Sequence, residues 1–565
     1  MRLLLLIALG LVAVQGQDDQ WWQTAVFYQI YPRSFMDSNG DGIGDLQGII
    51  SRLDHLKDAG VTAAWLSPIY KSPQVDSGYD ISDYRAIQDE YGTMEDFDAL
   101  IAKANELGIK IIMDMVPNHS SDQHEWFYLS ENRTEGYEDY YVWKDGPEGS
   151  IQEPPNNWLS VFKYSAWKYS SIREQWYLHQ FAVEQPDLNF ENPKVVQEIL
   201  DVLKFWLDKG VYGFRVDAVP HIGESQGFED EPKSGYPGVA EYEHDYLLHW
   251  YTHSMPKSYD VIYQMRAFLD EYNSVRPGQD ERIMMTEAYA NITATMWWYG
   301  DEERDGAHFT FNFQFIPLNQ DSTAGDIVDK VNEWLDNMPD GKTANWVVGN
   351  HDNHRLASRV HPLNVDGYNM LVHMLPGVAV TFQGEEIAMP NGKVTWEQGH
   401  DPSACNGRPE DFDRVSRDFE RTPFHWDDTK NAGFSTADET WLPVSEKYHE
   451  NNLAKQKTEE NSHFKIYQSL TAFRKESTTL RQGNLKLTNQ HNVLLLTRNL
   501  NKDHVVFLFN LGDDSVTVDL NDHFDDIENL NVIISSNYEN DRKLASVNNI
   551  QLPGHAALIG TSTSQ

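Results

Sequence analysis

From Phe27 to about residue 480, short apolar runs alternate with amphipathic stretches. The apolar runs are FYQIYP (27–32), AAWLSPI (63–69), KIIMDMV (110–116), YGFRVDA (212–218), RIMMTEA (282–288), FTFNF (309–313), NWVVGN (345–350) and VAVTFQG (378–384). Each is too short for a helix and apolar on both faces, as in a strand buried on both sides. Between them, stretches such as DLQGIISRLDHLKDAG (45–60) and DFDALIAKANELG (96–108) place apolar residues three and four apart and stop at glycine, which predicts helices. Eight strands separated by helices predict an α/β fold, a (β/α)₈ TIM barrel. About 90 residues part the third and fourth runs, and residues 122–184 of that excess, rich in Trp, Tyr, Pro and Asn, predict an inserted subdomain over the barrel mouth. A second irregular stretch, 388–440, follows the eighth run. From 483 the chain turns to alternating runs (VLLLTRNL, HVVFLFNL, SVTVDL, NVIISS) between turn residues, predicting an all-β domain over 483–565. The barrel is then built from 17–121 and 185–482.

Four of the runs lead into polar residues: IIMDMVPNHSS (111–121), GFRVDAVPH (213–221), RIMMTEAY (282–289) and NWVVGNHDNH (345–354). A carboxylate is costly to bury alone, so four such ends imply one shared polar site. In a TIM barrel the C-terminal strand ends face one mouth, where catalysis occurs. Asp114, Asp217, Glu287 and Asp352 are therefore the first candidates.

Composition narrows the partners. The net charge of −42 over 565 residues disfavours nucleic acid and anionic membrane surfaces. Residues 1–16, MRLLLLIALGLVAVQG, read as a secretory signal cut after Gly16; its apolar run is short for a membrane span. The C-terminus LPGHAALIGTSTSQ lacks the hydrophobic tail of a GPI signal, so the mature protein is expected to be secreted. Cys405 is the only cysteine, which rules out an internal disulfide. Sequons occur at Asn118, Asn132 and Asn291; Asn132 and Asn291 are the expected glycan sites, because Asn118 lies within a candidate active-site segment. The loop DSNGDGIGD (37–45) offers Asp37, Asn39, Asp41, Asp45 and the Ile43 carbonyl on a glycine-rich turn, hard oxygens suited to a structural Ca²⁺.

The four segments, in this order, resemble the signature regions of the α-amylase family of glycoside hydrolases (family 13). QPDLN (185–189) resembles a further family region, RTPFHW (421–426) resembles one typical of the α-glucosidase branch, and the whole pattern resembles insect maltases. The resemblance implies a nucleophile at Asp217, an acid/base at Glu287 and a transition-state stabiliser at Asp352, with Arg215, His119 and His351 binding the sugar in the cleaved subsite. It gives Asp114 and Asn118 a bracing role, and implies Ca²⁺ at the 37–45 loop. The residues agree with these roles. Arg215 lies two before Asp217, on the same side of a strand, and keeps a carboxylate ionised; Glu287 ends a strand of Met and Ile, where desolvation suits a proton donor.

Asp76 and Arg421 resemble an α-glucosidase pair that closes the pocket around the sugar's non-reducing end, with Tyr79 stacking on that sugar. Ala218, next to the nucleophile, resembles the α-1,4-specific pattern. The expected activity is exo-acting, retaining hydrolysis of terminal α-1,4-linked glucose from maltose and short oligosaccharides, with sucrose as a second substrate. The alternatives are a transglycosylating or sucrose-isomerising enzyme of the same family, and a gut-surface receptor on the same fold.

Overall fold

The computed structural model describes residues 20–521, 527–537 and 543–563. The signal-like residues 1–16 lie outside the described residues. All eight apolar runs form strands: β1 (Val26–Ile30), β2 (Ala63–Leu66), β3 (Lys110–Met115), β4 (Gly213–Val216), β5 (Ile283–Thr286), β6 (Phe309–Thr310), β7 (Asn345–Val347) and β8 (Val378–Phe382). They pair in parallel in the order β6-β5-β4-β3-β2-β1-β8-β7. No ladder joins β6 to β7. Instead the buried Asn345 side chain spans the seam, donating to the Thr310 carbonyl (2.5 Å) and accepting from the Asn312 N–H (2.9 Å). Apart from Lys110 every barrel-strand residue is buried, which is why the strands read as unbroken apolar runs.

The helices carry local start and stop signals. The Asp45 side chain caps α1 (Leu46–Asp58). A reciprocal Thr93–Asp96 capping box opens α2 (Met94–Leu107), and Gly108, at φ 76°, closes it in the left-handed region. Asn192 and Pro193 start α3 (Pro193–Asp208). Among the described residues no helix is long and apolar enough to cross a membrane.

Two excursions leave the barrel at its mouth. Between β3 and α3 a small antiparallel sheet orders Trp143–Lys144, Gln175–Leu178 and Trp167–Ser170 around Val142, Trp158, Trp167, Trp176 and Leu178. After β8 the chain runs through short helical turns packed on Val394, Ala404, Phe412 and Leu442. The C-terminal region forms a six-stranded antiparallel sheet with a two-stranded companion. Its β9 (Asn484–Gln490), β10 (Val493–Leu500) and β11 (Asp503–Asn510) form a meander in which both faces of the inner strands are buried. Leu494, Leu496, Phe507 and Phe509 pack on the barrel, while Val493, Leu495, Val506 and Leu508 face the domain's own core. Helix α4 (Val365–Met374) approaches Phe509 so closely that a Cβ on Gly367 would come within 2.4 Å of its ring.

Candidate active site

Asp217 and Glu287 each follow their strand by one residue, their backbones tied to the barrel by Asp217 N–H to Met115 O (2.8 Å) and Glu287 N–H to Val216 O (2.9 Å). Asp114 is the penultimate residue of β3. Asp352 stands five residues beyond β7, on the loop and not at the strand end as the sequence suggests.

Arg215, only 1% exposed, is the hub. Its guanidinium contacts Asp217 directly, reaches both oxygens of Asp114 (3.0 and 3.1 Å) and lies 3.4 Å from Glu287 Oε2. Glu287 Oε2 also accepts the Ala218 N–H at 2.8 Å. Ala218 itself is left-handed (φ 45°), an uncommon conformation for a residue with a Cβ, and this turns its N–H toward the acid. One guanidinium thus holds both candidate catalytic carboxylates.

A relay fixes the neighbouring imidazole. Gln29 Nε2 approaches His351 Nδ1 at 2.7 Å, His351 Nε2 lies 2.8 Å from the Tyr79 hydroxyl, and that hydroxyl lies 3.2 Å from Asp114 Oδ2. The chain is consistent if Gln29 donates to Nδ1, His351 carries its proton on Nε2, and Tyr79 donates to Asp114. Tyr79 lines the cavity, and its ring stacks on His351 at 5.4 Å and 4°. Asp114 also accepts from Trp65 Nε1 (3.1 Å), so it braces the floor. His119 also lines the cavity, against Phe181.

The structure corrects one pairing. Arg421 does not close the pocket against Asp76: it donates to Asp352 Oδ1 and to the His351 carbonyl, both at 2.8 Å. The cation that pairs with Asp76 (3.2 Å) is Arg417, which also reaches Asp401 (2.6 Å) and Asp352 (3.1 Å) and lies under the Phe162 ring at 5.1 Å. The RTPFHW motif drew attention to Arg421, four residues too late. Sequence reasoning also passed over Asp401, Gln29, Phe162, Phe181 and Tyr289. Of these only the aromatic density of the insertion gave any signal.

Five buried carboxylates (Asp76, Asp114, Asp217, Glu287, Asp401) and the half-buried Asp352 therefore face three guanidinium groups (Arg215, Arg417, Arg421). Burial raises Asp217 and Glu287 together, against Arg215, so the two titrate as a pair. Arg215 touches Asp217 and stands farther from Glu287, which places a shared proton on Glu287. Burial pushes Asp76 up to about 6 even with Arg417 beside it. Asp352 goes the other way: burial opposes its ionisation, but the Arg417 and Arg421 guanidinium groups hold it well below the usual carboxylate range. Burial keeps His351 and His119 neutral.

Of these groups Asp76, His119, Asp217, Glu287, His351, Asp352 and Arg417 line a cavity of about 420 Å³, together with Val161, Phe162 and Phe181 of the inserted subdomain and with Ala218, His221 and Tyr289. A larger, mostly apolar hollow of about 750 Å³ adjoins it across His253, Tyr289 and Asn353.

The other expected sites lie elsewhere. In the 37–45 loop Asp37 accepts the N–H groups of Asn39, Gly40 and Gly42, Asp41 that of Ile43, and Asp45 caps α1. The donor set is hard oxygen and fits Ca²⁺ chemistry. Among the described residues no three His, Cys, Asp or Glu side chains gather as a metal site. Asn132 and Asn291 are exposed, whereas Asn118 is buried.

Residues 29–483 match the family described as Alpha amylase, catalytic domain. The chain is 52% identical to Maltase 1 of Drosophila virilis over 512 residues, 89% of this chain and 80% of that protein. It is 46% identical to a salivary alpha-glucosidase of Anopheles gambiae over 539 residues, 92% and 90% of the two chains. Among solved structures, the alpha-glucosyl transfer enzyme XgtA superposes with a TM-score of 0.85 at 34% identity, covering 96% of this chain and all of that one. With a barrel, a carboxylate-lined mouth and a family match that spans both, the chain belongs to the α-amylase family of glycoside hydrolases.

Proposed function

We propose that this α-glucosidase removes single glucose units from the non-reducing end of α-1,4-linked maltose and short oligosaccharides, and cleaves sucrose, with retention at the anomeric carbon. The closed inner end of the cavity carries the reading: Arg417 ties Asp76, Asp352 and Asp401 together there, so a sugar chain can enter but not pass through. That geometry supports exo over endo cleavage.

Asp217, ionised against Arg215, attacks the anomeric carbon while Glu287 gives its proton to the departing oxygen. Asp352, kept ionised, faces the positive charge that develops on the ring. In the second half Glu287, now a base, takes a proton from a water whose oxygen attacks the anomeric carbon, breaking the bond to Asp217 and releasing glucose. Ala218 borders the leaving group, where its single methyl leaves room for the α-1,4 geometry. Rates on maltose, sucrose, isomaltose and starch test the assignment. Maltose and sucrose should be cleaved fastest, and Asp217→Asn should abolish all turnover with the fold intact. Faster cleavage of isomaltose or starch, or appreciable activity in Asp217→Asn, refutes it.

The likeness to an α-glucosyl transfer enzyme favours one secondary reading: at high sugar concentration a second sugar intercepts the Asp217 intermediate. Oligosaccharides longer than the substrate would reveal it. The proposal extends to secretion after loss of residues 1–16, supported by the relative described as salivary and tested by N-terminal sequencing of protein from the medium. It also includes glycans on Asn132 and Asn291, read by mass spectrometry before and after deglycosylation, and Ca²⁺ at the 37–45 loop.

A further inference from the structure

A separate cleft of about 390 Å³ lies where the inserted subdomain meets the loop after β4. Residues 133–144, the hairpin around Arg173 and Gln175, and the loop Glu224–Phe228 after β4 wall it. Three cations line it: Arg133, Lys144 and Arg173. In a chain with 87 acidic and 45 basic residues, a cation ordinarily finds a carboxylate. Among the described residues these three form no ion pair. Arg173, 5% exposed, donates to the Ser130 and Glu138 carbonyls (2.5 and 2.8 Å) and to Gln175 Oε1 (2.9 Å), and lies over Trp143 at 4.6 Å. Arg133 donates to the Arg173 carbonyl (2.9 Å), and Lys144 sits over Phe228 at 4.2 Å. Carbonyls and ring faces orient a cation but leave its charge uncompensated. The arginines also repel each other: burial first, and then Arg133, pull Arg173 down to about 10.

Two acids share the wall, and among the described residues neither is ion-paired to these cations, although Asp139 and the adjacent Glu138 offset part of the Arg173 charge at longer range. Glu224 is buried, and burial pushes its carboxyl up to about 8, so at pH 7 it is neutral and can itself donate a hydrogen bond. Asp139 is exposed and forms no ion pair among the described residues. Asn189, Gln175 and Gln226 bring amide groups to the same space.

We infer that this cleft is a binding site for a small oxyanion of the phosphate class, held by Arg133, Lys144 and Arg173 and bridging the inserted subdomain to the loop after β4. Such an anion supplies the missing counter-charge at a junction of three chain segments, so its occupancy stabilises the folded protein by mass action. The site is distinct from the sugar cavity and shares no residue with it.

Inorganic phosphate is the probe, with chloride at matched ionic strength as the control, on the full chain at pH 7. Melting temperatures should rise with phosphate, in proportion to the logarithm of its concentration once that exceeds Kd, chloride should give less than half that shift, and calorimetry should show one saturable site per chain. Arg133→Gln and Lys144→Gln should each weaken phosphate binding at least tenfold while leaving maltose turnover within twofold of the parent. Neither removes the bonds that the Arg173 side chain donates to the Ser130 and Glu138 carbonyls, and if one fails to fold the other decides. Equal shifts in phosphate and chloride, or parental affinity in a folded variant, overturn the inference.

Discussion

Removing the closing cation should cost the enzyme more than removing the arginine marked by the RTPFHW motif. Arg417→Ala deletes three charge-assisted bonds, to Asp401 (2.6 Å), Asp352 (3.1 Å) and Asp76 (3.2 Å), and leaves Asp401 and Asp76 buried without that counter-charge. Breaking a buried pair by removing one partner costs about 3–5 kcal/mol. Part of this is recovered because Asp76, already up at about 6, takes a proton. A net loss of about 3 kcal/mol in the transition state is a fall of roughly 100-fold in kcat/KM. Arg417→Lys restores a point charge but cannot fork between Asp76 and Asp352, so it should recover only a fraction. Steady-state rates on maltose and maltotetraose read the effect, which should be of similar size for both because the lost contact lies at the non-reducing end. The assay has a built-in comparison: Arg421→Ala loses one carboxylate bond and one carbonyl bond and keeps Asp76 paired. If Arg417→Ala stays within threefold of the parent, or if only the longer substrate suffers, the closed-end reasoning is wrong.

Glu287→Gln should depress kcat/KM on maltose by about 10²–10⁴, the usual worth of general acid catalysis, but far less on a glucoside with an acidic phenol leaving group, which needs no proton; equal losses on both would remove Glu287 as the acid. Activity on maltose should fall as pH rises through the upper ionisation of the Asp217–Glu287 pair, because burial raises that pair and the acid must be protonated. Asp352 is depressed on folding, so it contributes stability above its unfolded pKa, near 3.9, that is lost as pH falls toward its folded value. Asp352→Asn should therefore flatten the acid limb of a Tm-versus-pH curve, and an unchanged limb refutes the linkage. Ala218→Val puts a β-branched residue at φ 45°, where branched side chains are strained, and crowds the leaving group; maltose turnover should drop about tenfold or more, and an unaltered maltose-to-isomaltose ratio would dissociate this position from linkage choice. Excess EDTA should lower Tm if the 37–45 loop holds Ca²⁺, and an identical melting curve would dismiss the ion.

What the sequence conveys depends on how far each residue's environment is set by its own neighbours. The barrel strands are legible because burial on both faces makes each a continuous apolar run, and Asp217 and Glu287 because a lone carboxylate directly after such a run has one plausible destination. The β6–β7 seam is not legible, since it is closed by the side chain of Asn345 inside an otherwise apolar run, and spacing does not distinguish such an Asn from a surface residue. Arg417 is hidden for a different reason. It sits in the aperiodic 388–440 segment, and its partner Asp76 is 341 residues away, so the contact exists only once two excursions from the barrel meet over its mouth. A motif can mark that segment without resolving which of two arginines four positions apart faces the sugar, because a stretch of turns has no period from which to read direction. The same limit explains the cations of the proposed oxyanion cleft, contributed by 133, 144 and 173: each is an ordinary charge in sequence, and only the folded subdomain brings them to one wall with no ion pair among them.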